Sequence, residues 1–547
     1  GLNGRYSQIL KDGMPLYGGF SGSFGILQVP PLDLKQIEII KGSASTLFGG
    51  DAIGGIINLV SKTPSEKPET NILINQTTLN ETDVNTYISR KYKNVGFTIF
   101  AGYVFQKATD VNSDGFSDVP DLGSFVIHPK LFMYFDKKTT IAVGFSGTYE
   151  NRVGGDMEVV RHSSNALHQY FIAHNSSRNI LELNFERKAK SGSVLQFKGS
   201  SSFLDRSLET PQYLFKANQS LYFSELSYLM KRKLYDFVFG VNVNGDIFRK
   251  KQADSINISN YDYSTVGFFV QNDLRITDKL LVESGLRYDN HSNYGDFLLP
   301  QISIMYKFIP QFTARLNGGY GYKTPVVFSY IDEENDLNHL QSLQFKLNPE
   351  TSQGLNFDLN YQTLLWKSLS FTLNQSFFYT LLSHPVVYSV DSTSTVSLAN
   401  ASKPVETKGL QSYLRFSYRE FELYLSYVYT HAVKEYDSQN PWYLATPEHN
   451  LAATLAYEPS EKWRAGLEGS MIGSQYIENN KKTSSYLFLA MMVQYNFKKV
   501  SLVLNCENIL DFRQKDFMVF PMVSPTVKKI WAPIDGRVFN LSVNFKL

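Results

Sequence analysis

Residues Ile37–Pro64 read IEIIKGSASTLFGGDAIGGIINLVSKTP, in which two short runs rich in Ile and Val enclose a hinge of small residues. Runs of β-branched residues bounded by Gly and Ser are typical of strands that are joined by tight turns. Glycine also permits close approach between backbones, which a small domain packed inside a larger structure requires. The segment therefore predicts part of a compact domain that is threaded inside something larger.

The remainder of the chain alternates apolar and polar residues, in runs separated by turn residues, from about residue 70 to the end. This period of two is typical of half-buried strands. In the last run one face carries only apolar side chains, those of Phe539, Leu541, Val543, Phe545 and Leu547. Such strands belong to a sheet that separates an apolar from a polar environment.

Composition narrows the class of protein. The 53 basic residues almost balance the 51 acidic ones, so charge indicates no nucleic-acid partner. Aromatic residues make up 14% of the chain, with 40 Phe and 34 Tyr, a content that suits the aromatic girdles of a membrane barrel. No apolar run reaches the ~18 to 20 residues of a membrane-spanning helix. The single cysteine, Cys506, excludes an internal disulfide.

Twenty-two alternating runs can be placed between residues 70 and 547, one of them over 368–390. The sequence thus predicts an all-β membrane protein, a 22-stranded antiparallel transmembrane β-barrel whose long loops are extracellular. A barrel of that width cannot be filled by its own side chains and is normally plugged. Its connections alternate in length, the tight ones including 92–94, 135–138 and 498–499, and the long ones 151–176, 324–350 and 513–535.

The N-terminal segment resembles the second half of the plug domain of TonB-dependent outer-membrane receptors. The resemblance predicts an internal plug domain over 1–66, of which the second half is present, and a barrel over 67–547. Asp51 departs from the family pattern, which more often has a small residue there. The matching elements are Arg5, Ile9-Leu10, Asp12-Gly13-Met14-Pro15, Leu34 to Gly42, Leu47-Phe48-Gly49 and Ala52 to Asn58.

The resemblance continues into the barrel. Residues 319–325, GYGYKTP, stand where these receptors carry an aromatic-basic-x-Pro box, and residues 347–352, LNPETS, match the motif that opens the next strand. One departure is terminal, because these barrels often end in Phe or Trp and this chain ends in Leu547. Phe545, on the same face, is the expected substitute.

The resemblance implies active import across the outer membrane of a Gram-negative bacterium, with no catalytic residues and no required cofactor. The implied partners are an iron chelate or similar small ligand, outer-membrane lipid and the inner-membrane TonB complex; a surface lipoprotein is a further candidate. TonB would act through an N-terminal segment, and we expect that segment, a signal peptide and the first half of the plug to precede Gly1.

The first candidate for ligand contact is the turn between Pro15 and Gly25, which reads PLYGGFSGSFG. In the family this plug apex faces outward and meets the ligand. Tyr17, Phe20 and Phe24 could stack there on a catecholate, a macrocycle or a corrin. The alternative is that these rings only pack against the barrel wall.

The second candidate is an acidic loop with the spacing of a calcium-binding loop. Oxygen ligands stand at positions 1, 3, 5, 9 and 12, Gly115 stands at position 6, and position 7 would supply its backbone carbonyl. A structural calcium is therefore predicted, and a solvated acidic loop is the alternative. The predicted ligands are Asp110, Asn112, Asp114, Phe116, Asp118 and Asp121.

Histidine and methionine residues provide the third candidate. His339 lies between the two barrel motifs, where haem receptors of this fold place a ligating histidine. The motifs here read Tyr-Lys-Thr-Pro and Asn-Pro-Glu, however, which departs from the haem-receptor pattern. A long loop beginning at Gly154 could bind a soft metal or a metal chelate through Met157, His162, His168 and His174. Solvated loop residues are the alternative for both sets.

Other classes of barrel fit the sequence less well. An outer-membrane hydrolase needs a catalytic constellation at its rim that the sequence does not show, and a porin has fewer strands and no plug. A ferric siderophore is the leading substrate on the resemblance alone. Haem or cobalamin import remains open, as does a structural or assembly subunit that keeps the receptor fold without transport.

Overall fold

Two sheets hold most of the regular structure of the chain, which we describe from a computed structural model. A small four-stranded sheet, the plug, lies inside a closed barrel of twenty-two antiparallel strands. The structure describes residues 2–16, 18–21, 29, 31–42, 45–162, 164–253, 256–331, 337–341, 346–391, 395–477, 480–514, 518–519, 526–527 and 530–547.

The plug is formed by β1 (Ser7–Lys11), β2 (Met14–Pro15), β3 (Leu34–Lys41) and β4 (Gly55–Ser61). Their order in the sheet is β2-β1-β4-β3, in which β1 and β4 run parallel and the other neighbours antiparallel. The segment Ile37–Pro64 thus supplies most of β3 and the whole of β4. Its hinge of small residues joins them through a one-turn helix, α1 (Ser45–Phe48).

The barrel follows in strict up-and-down order, and β30 pairs with β5 to close it. The predicted number of strands and their antiparallel closure are confirmed. The strands are β5 (Glu69–Thr77), β6 (Glu81–Lys91), β7 (Val95–Gln106), β8 (Asp121–Tyr134), β9 (Thr139–Gly155), β10 (Phe171–Lys188), β11 (Val194–Glu209), β12 (Leu214–Lys231), β13 (Tyr235–Ala253), β14 (Tyr261–Arg275), β15 (Leu280–His291), β16 (Gly295–Ile309), β17 (Phe312–Lys323), β18 (Glu350–Leu365), β19 (Leu369–Ser383), β22 (Val405–Tyr418), β23 (Phe421–Lys434), β24 (His449–Ser460), β25 (Trp463–Ile472), β26 (Tyr486–Asn496), β27 (Val500–Glu507) and β30 (Val538–Lys546).

The loops carry two small hairpins and a few helical turns. One hairpin pairs β20 (Val386–Val390) with β21 (Val396–Asn400), and the other pairs β28 (Met518–Val519) with β29 (Thr526–Val527). No helix among the described residues is long and apolar enough to cross a membrane. The helical turns are α2 (Met157–Arg161) and the 3₁₀ turns Gly4–Tyr6, Gly19–Ser21, Pro31–Asp33, Val327–Ser329 and Leu337–His339.

The alternation along each strand divides the wall into an outer apolar and an inner polar face. In β10, Leu181 is 60% exposed on the outside, whereas its neighbour Glu182 is buried inside the barrel. Exposed aromatic rings occupy the tight turns at one end, where Tyr92, Phe135 and Trp366 lie. This arrangement is that of a barrel in a bilayer, with an aromatic girdle at the interface.

Two predicted strand boundaries are wrong. The run over 368–390 is not one strand, because His384 adopts a positive φ of 55° and Pro385 follows it, so that β19 ends at Ser383 and the chain turns into the β20–β21 hairpin. The predicted loop over 151–176 is shorter, since the β9–β10 ladder extends to the pair Gly155 and Phe171. The remaining boundaries shift by a few residues.

Candidate functional site

A cavity of about 710 Å³ lies between the plug and one side of the barrel wall. Residues of segments 3–9, 15–19 and 48–51 line it on the plug side, and strands β10–β15 and β17 line it on the wall side. Cavities of roughly 300–1,000 Å³ with a few placed polar groups are typical small-molecule sites. The cavity is therefore the candidate ligand site of the chain.

The plug reaches the wall through glycines at its apex. A Cβ atom added to Gly19 would lie 2.6 Å from Cγ1 of Val326, and one added to Gly18 would lie 2.6 Å from Nε2 of Gln219. Real Cβ contacts are essentially never shorter than 3.0 Å, so a side chain at Gly19 would have to displace Val326, whereas the flexible amide end of Gln219 could move away from one at Gly18. Gly19 therefore sets how closely the apex approaches the wall beside the cavity.

Phe20 anchors this apex in the manner of the second alternative, packing against the barrel wall. It is 1% exposed, and its ring packs against those of Phe215, Phe248 and Phe328 at centroid distances of 5.9, 5.2 and 4.7 Å. Arg206 donates to the Phe20 carbonyl at 2.9 Å. The ring thus packs against the barrel wall and is not available to stack on a ligand in this structure. The other two predicted apex contacts, Tyr17 and Phe24, lie outside the described residues.

The GYGYKTP box meets the plug directly. Lys323 pairs with Asp51 at 3.1 Å, and the Asp51 amide donates to the Tyr322 carbonyl at 2.8 Å. Asp51, the departure from the family pattern, therefore has a specific partner in the barrel. This pair lies at the edge of the cavity, since both residues line it.

A buried polar group stands behind the box. The Tyr322 hydroxyl donates to Asp289 at 2.9 Å, and Asp289 pairs with the fully buried Arg287 at 2.7 Å. Arg287 also donates to Asn242 at 2.8 Å. The Arg287 guanidinium comes so close to Gly49 that an added Cβ there would lie 2.9 Å from Nη2. The hinge of the plug is thus packed against a buried, hydrogen-bonded polar layer of the wall.

The Leu-Asn-Pro-Glu motif contributes a second contact. Glu350 is fully buried and accepts hydrogen bonds from the Tyr6 hydroxyl at 2.9 Å and the Tyr330 hydroxyl at 2.7 Å. Arg5 donates to the Tyr6 oxygen at 2.8 Å and lies 4.4 Å above the Tyr330 ring. Burial, reinforced by the Glu350 carboxylate, holds the pKa of the Tyr6 hydroxyl well above its usual value. Tyr6 therefore stays protonated and links the plug to the wall.

A third contact is ionic and deeply buried. The plug strand β1 brings Lys11 to within 3.9 Å of both Asp33 of the plug and Glu182 of the wall. His128 on β8 contacts Asp33 through Nδ1 and lies 3.8 Å from Glu182. Removing one member of such a buried group leaves an uncompensated charge. This costs more free energy than the loss of a surface ion pair.

The same ionic group includes the tight turn between β1 and β2. Lys130 donates to Asp12 at 2.7 Å and lies 3.6 Å from Glu182, while the Ser61 amide donates to Asp12 at 2.8 Å. Burial alone would raise the pKa of Asp12, but the Lys130 ammonium and the Ser61 amide hold it below its usual value. Asp12 is therefore ionised at neutral pH and ties the plug to β8.

The predicted histidine set is spread over several surroundings. His174 on β10 lines the cavity, 3.2 Å from Nη2 of Arg206, whereas His168 contacts Asp156 at 2.7 Å in the outer loop. Met157 is buried at the start of α2, and His162 and His339 are exposed. Of this predicted set, the structure thus brings only His174 to the cavity. No group of three or more His, Cys, Asp or Glu in the described part of the chain is placed to hold a metal ion.

The acidic loop is organised by its own carboxylates. Asp110 accepts backbone hydrogen bonds from Ser113 and Gly115 at 2.7 and 2.9 Å, and Asp114 accepts one from Phe116 at 2.9 Å. The last predicted ligand, Asp121, pairs with Lys107 at 3.3 Å. The predicted ligand oxygens do not converge into a metal-binding group in this structure.

The Asp118 carboxylate of that loop is partly buried and lies near two other carboxylates. Asp118 accepts the amides of Val111 and Asn112 at 2.6 and 3.1 Å. Burial, together with the nearby Asp114 and Asp110, nevertheless raises the pKa of Asp118 to about 6. Calcium binding by this loop stays a prediction.

Sequence reasoning did not find several residues of the cavity. Asp246, Tyr263 and His291 line it from the middle or the end of wall strands. Each occupies an inward position in an alternating strand, and such positions are polar all around the barrel. Nothing in the sequence marks the few of them that face the cavity; only Tyr322 and Lys323 carry a motif that does.

A plug sheet held by buried contacts inside a 22-stranded barrel, with a ligand-sized cavity between them, defines a plugged outer-membrane barrel. The family model described as TonB dependent receptor-like, beta-barrel matches residues 72–509, and the model described as TonB-dependent Receptor Plug Domain matches residues 1–56. The chain belongs to the TonB-dependent receptor family and is a protein of the Gram-negative outer membrane. The family predicted from the sequence is confirmed.

Individual relatives are distant. An iron-regulated outer membrane virulence protein of Vibrio cholerae is 22% identical over 84% of this chain and 73% of its own length. The vitamin B12 transporter BtuB of the same species is 23% identical over 59% of this chain and 52% of its own length. Among solved structures, the siderophore receptor PirA from Acinetobacter baumannii superposes with a TM-score of 0.79 at 15% identity, covering all of this chain and 91% of that one.

Proposed function

We propose that this receptor imports a ferric siderophore or a related iron complex, which it binds in the cavity between the plug and strands β10–β15 and β17. The single observation that carries the proposal is the 710 Å³ cavity, which both the plug and the wall line. A ligand bound there touches the element that must move and the element that stays fixed. The Vibrio relative described as iron-regulated supports iron as the cargo.

The contacts between the plug and the wall are those that a force pulling on the plug has to break. Asp51, Tyr6 and the Lys11–Asp12 turn each bind the wall through hydrogen-bonded or ionic contacts. We infer that force transmitted by TonB breaks these contacts and that ligand binding biases the plug toward release through the apex and Asp51. The chain then acts as a receptor and transporter in which all of the work is conformational.

Cobalamin is the second candidate cargo, because one relative is a vitamin B12 transporter. Haem import has a weaker basis, since His339, the histidine predicted to ligate haem, is exposed and does not line the cavity. A non-transporting assembly subunit that keeps the receptor fold is the remaining alternative. A surface lipoprotein partner would bind the outer loops, and co-purification of such a protein from detergent extracts tests that proposal.

Growth of a strain that lacks this receptor tests the proposal. The strain is supplied in turn with ferric siderophores of several classes, haem, cobalamin and inorganic iron, and is complemented with the intact gene. We expect a growth defect on one class of ferric siderophore that complementation restores. Loss of growth on cobalamin alone would support the second candidate, and an unchanged pattern on every source would contradict import of these nutrients.

Structural calcium is tested on the purified receptor by calorimetric titration. The expected result is a saturable calcium heat that disappears in the double variant Asp110→Ala, Asp114→Ala. Asp437→Ala, in another outer loop, is the matched control and should leave the heat unchanged. A wild-type receptor without calcium heat would remove the prediction.

A further inference from the structure

The ten tight turns at one end of the barrel carry a large excess of positive charge. They contain twelve Lys and Arg residues against four Asp and Glu, and all ten turns lie in the described part of the chain. Nine of the ten contain at least one cation, and all twelve cations are exposed, so they form a ring around the circumference. This basic ring consists of Lys93, Lys137, Lys138, Lys190, Arg232, Lys233, Lys279, Lys367, Arg419, Lys462, Lys498 and Lys499.

The charges of the basic ring are not neutralised within the protein. None of its twelve side chains forms an ion pair with a carboxylate in the described part of the chain. The carboxylate of Asp236, at a neighbouring strand end, pairs with the strand cation Arg275 at 2.7 Å instead. Asp136, one of the four acidic turn residues, accepts the amides of Lys138 and Thr139 in its own turn at 2.6 and 2.7 Å. Twelve cations and four carboxylates thus leave the turns a net charge of +8.

The basic ring lies at the height of the lipid headgroups. The turns are two to five residues long, so no residue in them extends more than about 8 Å beyond the strand ends. Exposed aromatic side chains stand directly beside the cations, since Tyr92 precedes Lys93 and Trp366 precedes Lys367, with 64% and 84% of the two aromatic residues exposed. Aromatic side chains of a membrane barrel lie at the interface between hydrocarbon and headgroups. The cations are therefore within about one Debye length of the headgroup charges at physiological salt.

The distribution of the cations indicates which kind of partner the ring fits. Short turns lie on the periplasmic side of outer-membrane barrels, so the ring faces the periplasmic leaflet, which consists of phospholipids. A protein that docks from the periplasm would contact one arc of the rim, whereas cations occupy nine of the ten turns around it. A leaflet surrounds the barrel on all sides, and anionic lipids in a leaflet attract Lys and Arg at its surface. A continuous anionic partner accounts for this distribution, and a local one does not.

We propose that the basic ring selects anionic phospholipids, such as phosphatidylglycerol, as the lipids in direct contact with the barrel in the periplasmic leaflet. Ammonium and guanidinium groups of the turns pair with the lipid phosphates, and the neighbouring aromatic side chains hold the turns at that depth. This selection does not depend on the cargo that the cavity binds, so it stands whether or not the receptor imports iron.

Lipid retention by the purified full-length receptor tests the proposal. The receptor in detergent is incubated with equal amounts of phosphatidylglycerol and zwitterionic phosphatidylethanolamine, and the lipids that stay bound after gel filtration are counted by mass spectrometry. We expect about fivefold more phosphatidylglycerol than phosphatidylethanolamine at about 0.1 M salt. The ratio should fall below about twofold at about 1 M salt, because the Debye length shrinks from ~10 to ~3 Å. Equal retention of the two lipids at low salt would overturn the inference.

A charge variant assigns the preference to the ring. Replacing four ring cations from two turns halves the net charge of the turns from +8 to +4. Because the logarithm of the preference scales with that charge, the retention ratio at low salt should fall from about fivefold to about twofold. The variant carries Lys137→Gln, Lys138→Gln, Lys498→Gln and Lys499→Gln, and its heat-modifiable folded band on gels reports whether the barrel is intact. An unchanged ratio in the folded variant would contradict the proposal.

The matched control removes the same number of exposed cations from the outer loops. These cations lie at the opposite end of the barrel, and the variant carries Arg161→Gln, Lys403→Gln, Lys481→Gln and Lys482→Gln. It should keep the fivefold ratio of the wild type. An equal fall in both variants would show that total charge and not the ring sets the preference, and would overturn the inference. Co-sedimentation with isolated peptidoglycan that the ring variant loses, without any lipid preference, would assign the ring to the cell wall and overturn it as well.

Discussion

Replacing Asp12 by Asn should loosen the plug without unfolding the barrel. Asp12 accepts a hydrogen bond from Lys130 at 2.7 Å, and the two side chains are only 14% and 7% exposed. Removing one partner of a buried ion pair typically costs about 3–5 kcal/mol. The cost here is smaller, because Lys130 keeps Glu182 at 3.6 Å and an asparagine oxygen can still accept the Ser61 amide. We expect the free energy of opening the plug to fall by about 2 kcal/mol, which is roughly a thirtyfold change in the equilibrium between closed and open plug.

Hydrogen exchange measured by mass spectrometry on the receptor in nanodiscs reads this effect directly. Amides of β1 and β4 should exchange about thirtyfold faster in Asp12→Asn, while those of the barrel strands keep their protection. Asp205→Asn is the matched control, because Asp205 pairs with Lys251 on the surface, where ion pairs contribute little. Unchanged plug protection in Asp12→Asn, or equal loss in both variants, would refute the assignment of this contact as a plug anchor.

Three further outcomes follow from the same structure. Because the pKa of Asp12 is lowered by folding, its contribution is present above the ordinary carboxyl range near pH 4 and is lost as the pH falls through the lowered value. The difference in plug exchange between wild type and Asp12→Asn should therefore shrink as the pH falls from about 7 to about 3. Gly19→Ala should weaken ligand binding by about tenfold or more, because its Cβ would meet Val326 at 2.6 Å, whereas Gly123→Ala, on β8 and outside the cavity lining, meets no atom within 4 Å and should bind normally in the same titration. Leu181→Arg should reduce the heat-modifiable folded band on gels, since a cation on the lipid face costs about 2–4 kcal/mol, while Leu167→Arg in the outer loop should not.

The barrel could be predicted from the sequence because the pattern that specifies it lies within each strand. Alternation in each strand records a wall with lipid on one side and polar surroundings on the other, as Leu181 and Glu182 show. Strand ends were less accessible, because pairing partners decide them. The β9–β10 ladder continues to Gly155 and Phe171, which no local pattern marks, whereas the break at His384 and Pro385 was readable in principle from the proline.

Residues of the cavity could be predicted from the sequence only where a motif marks them. The GYGYKTP box did identify a functional edge, since Tyr322 and Lys323 reach the plug there. The aromatic apex carries no such mark, because Phe20 looks the same in sequence whether it faces a ligand or the wall. Its burial depends on Phe215, Phe248 and Phe328, which lie some two hundred or more residues away along the chain. Long-range packing of this kind leaves no trace in a local pattern.

Uptake of radiolabelled iron tests the central claim most directly. Cells that lack the chromosomal receptor and carry the intact gene on a plasmid are given the labelled ferric complex of the siderophore that restores growth. We expect uptake that requires the receptor and that disappears when TonB is deleted, while binding at the cell surface persists. Uptake that continues without TonB, or that is equal with and without the receptor, would contradict it.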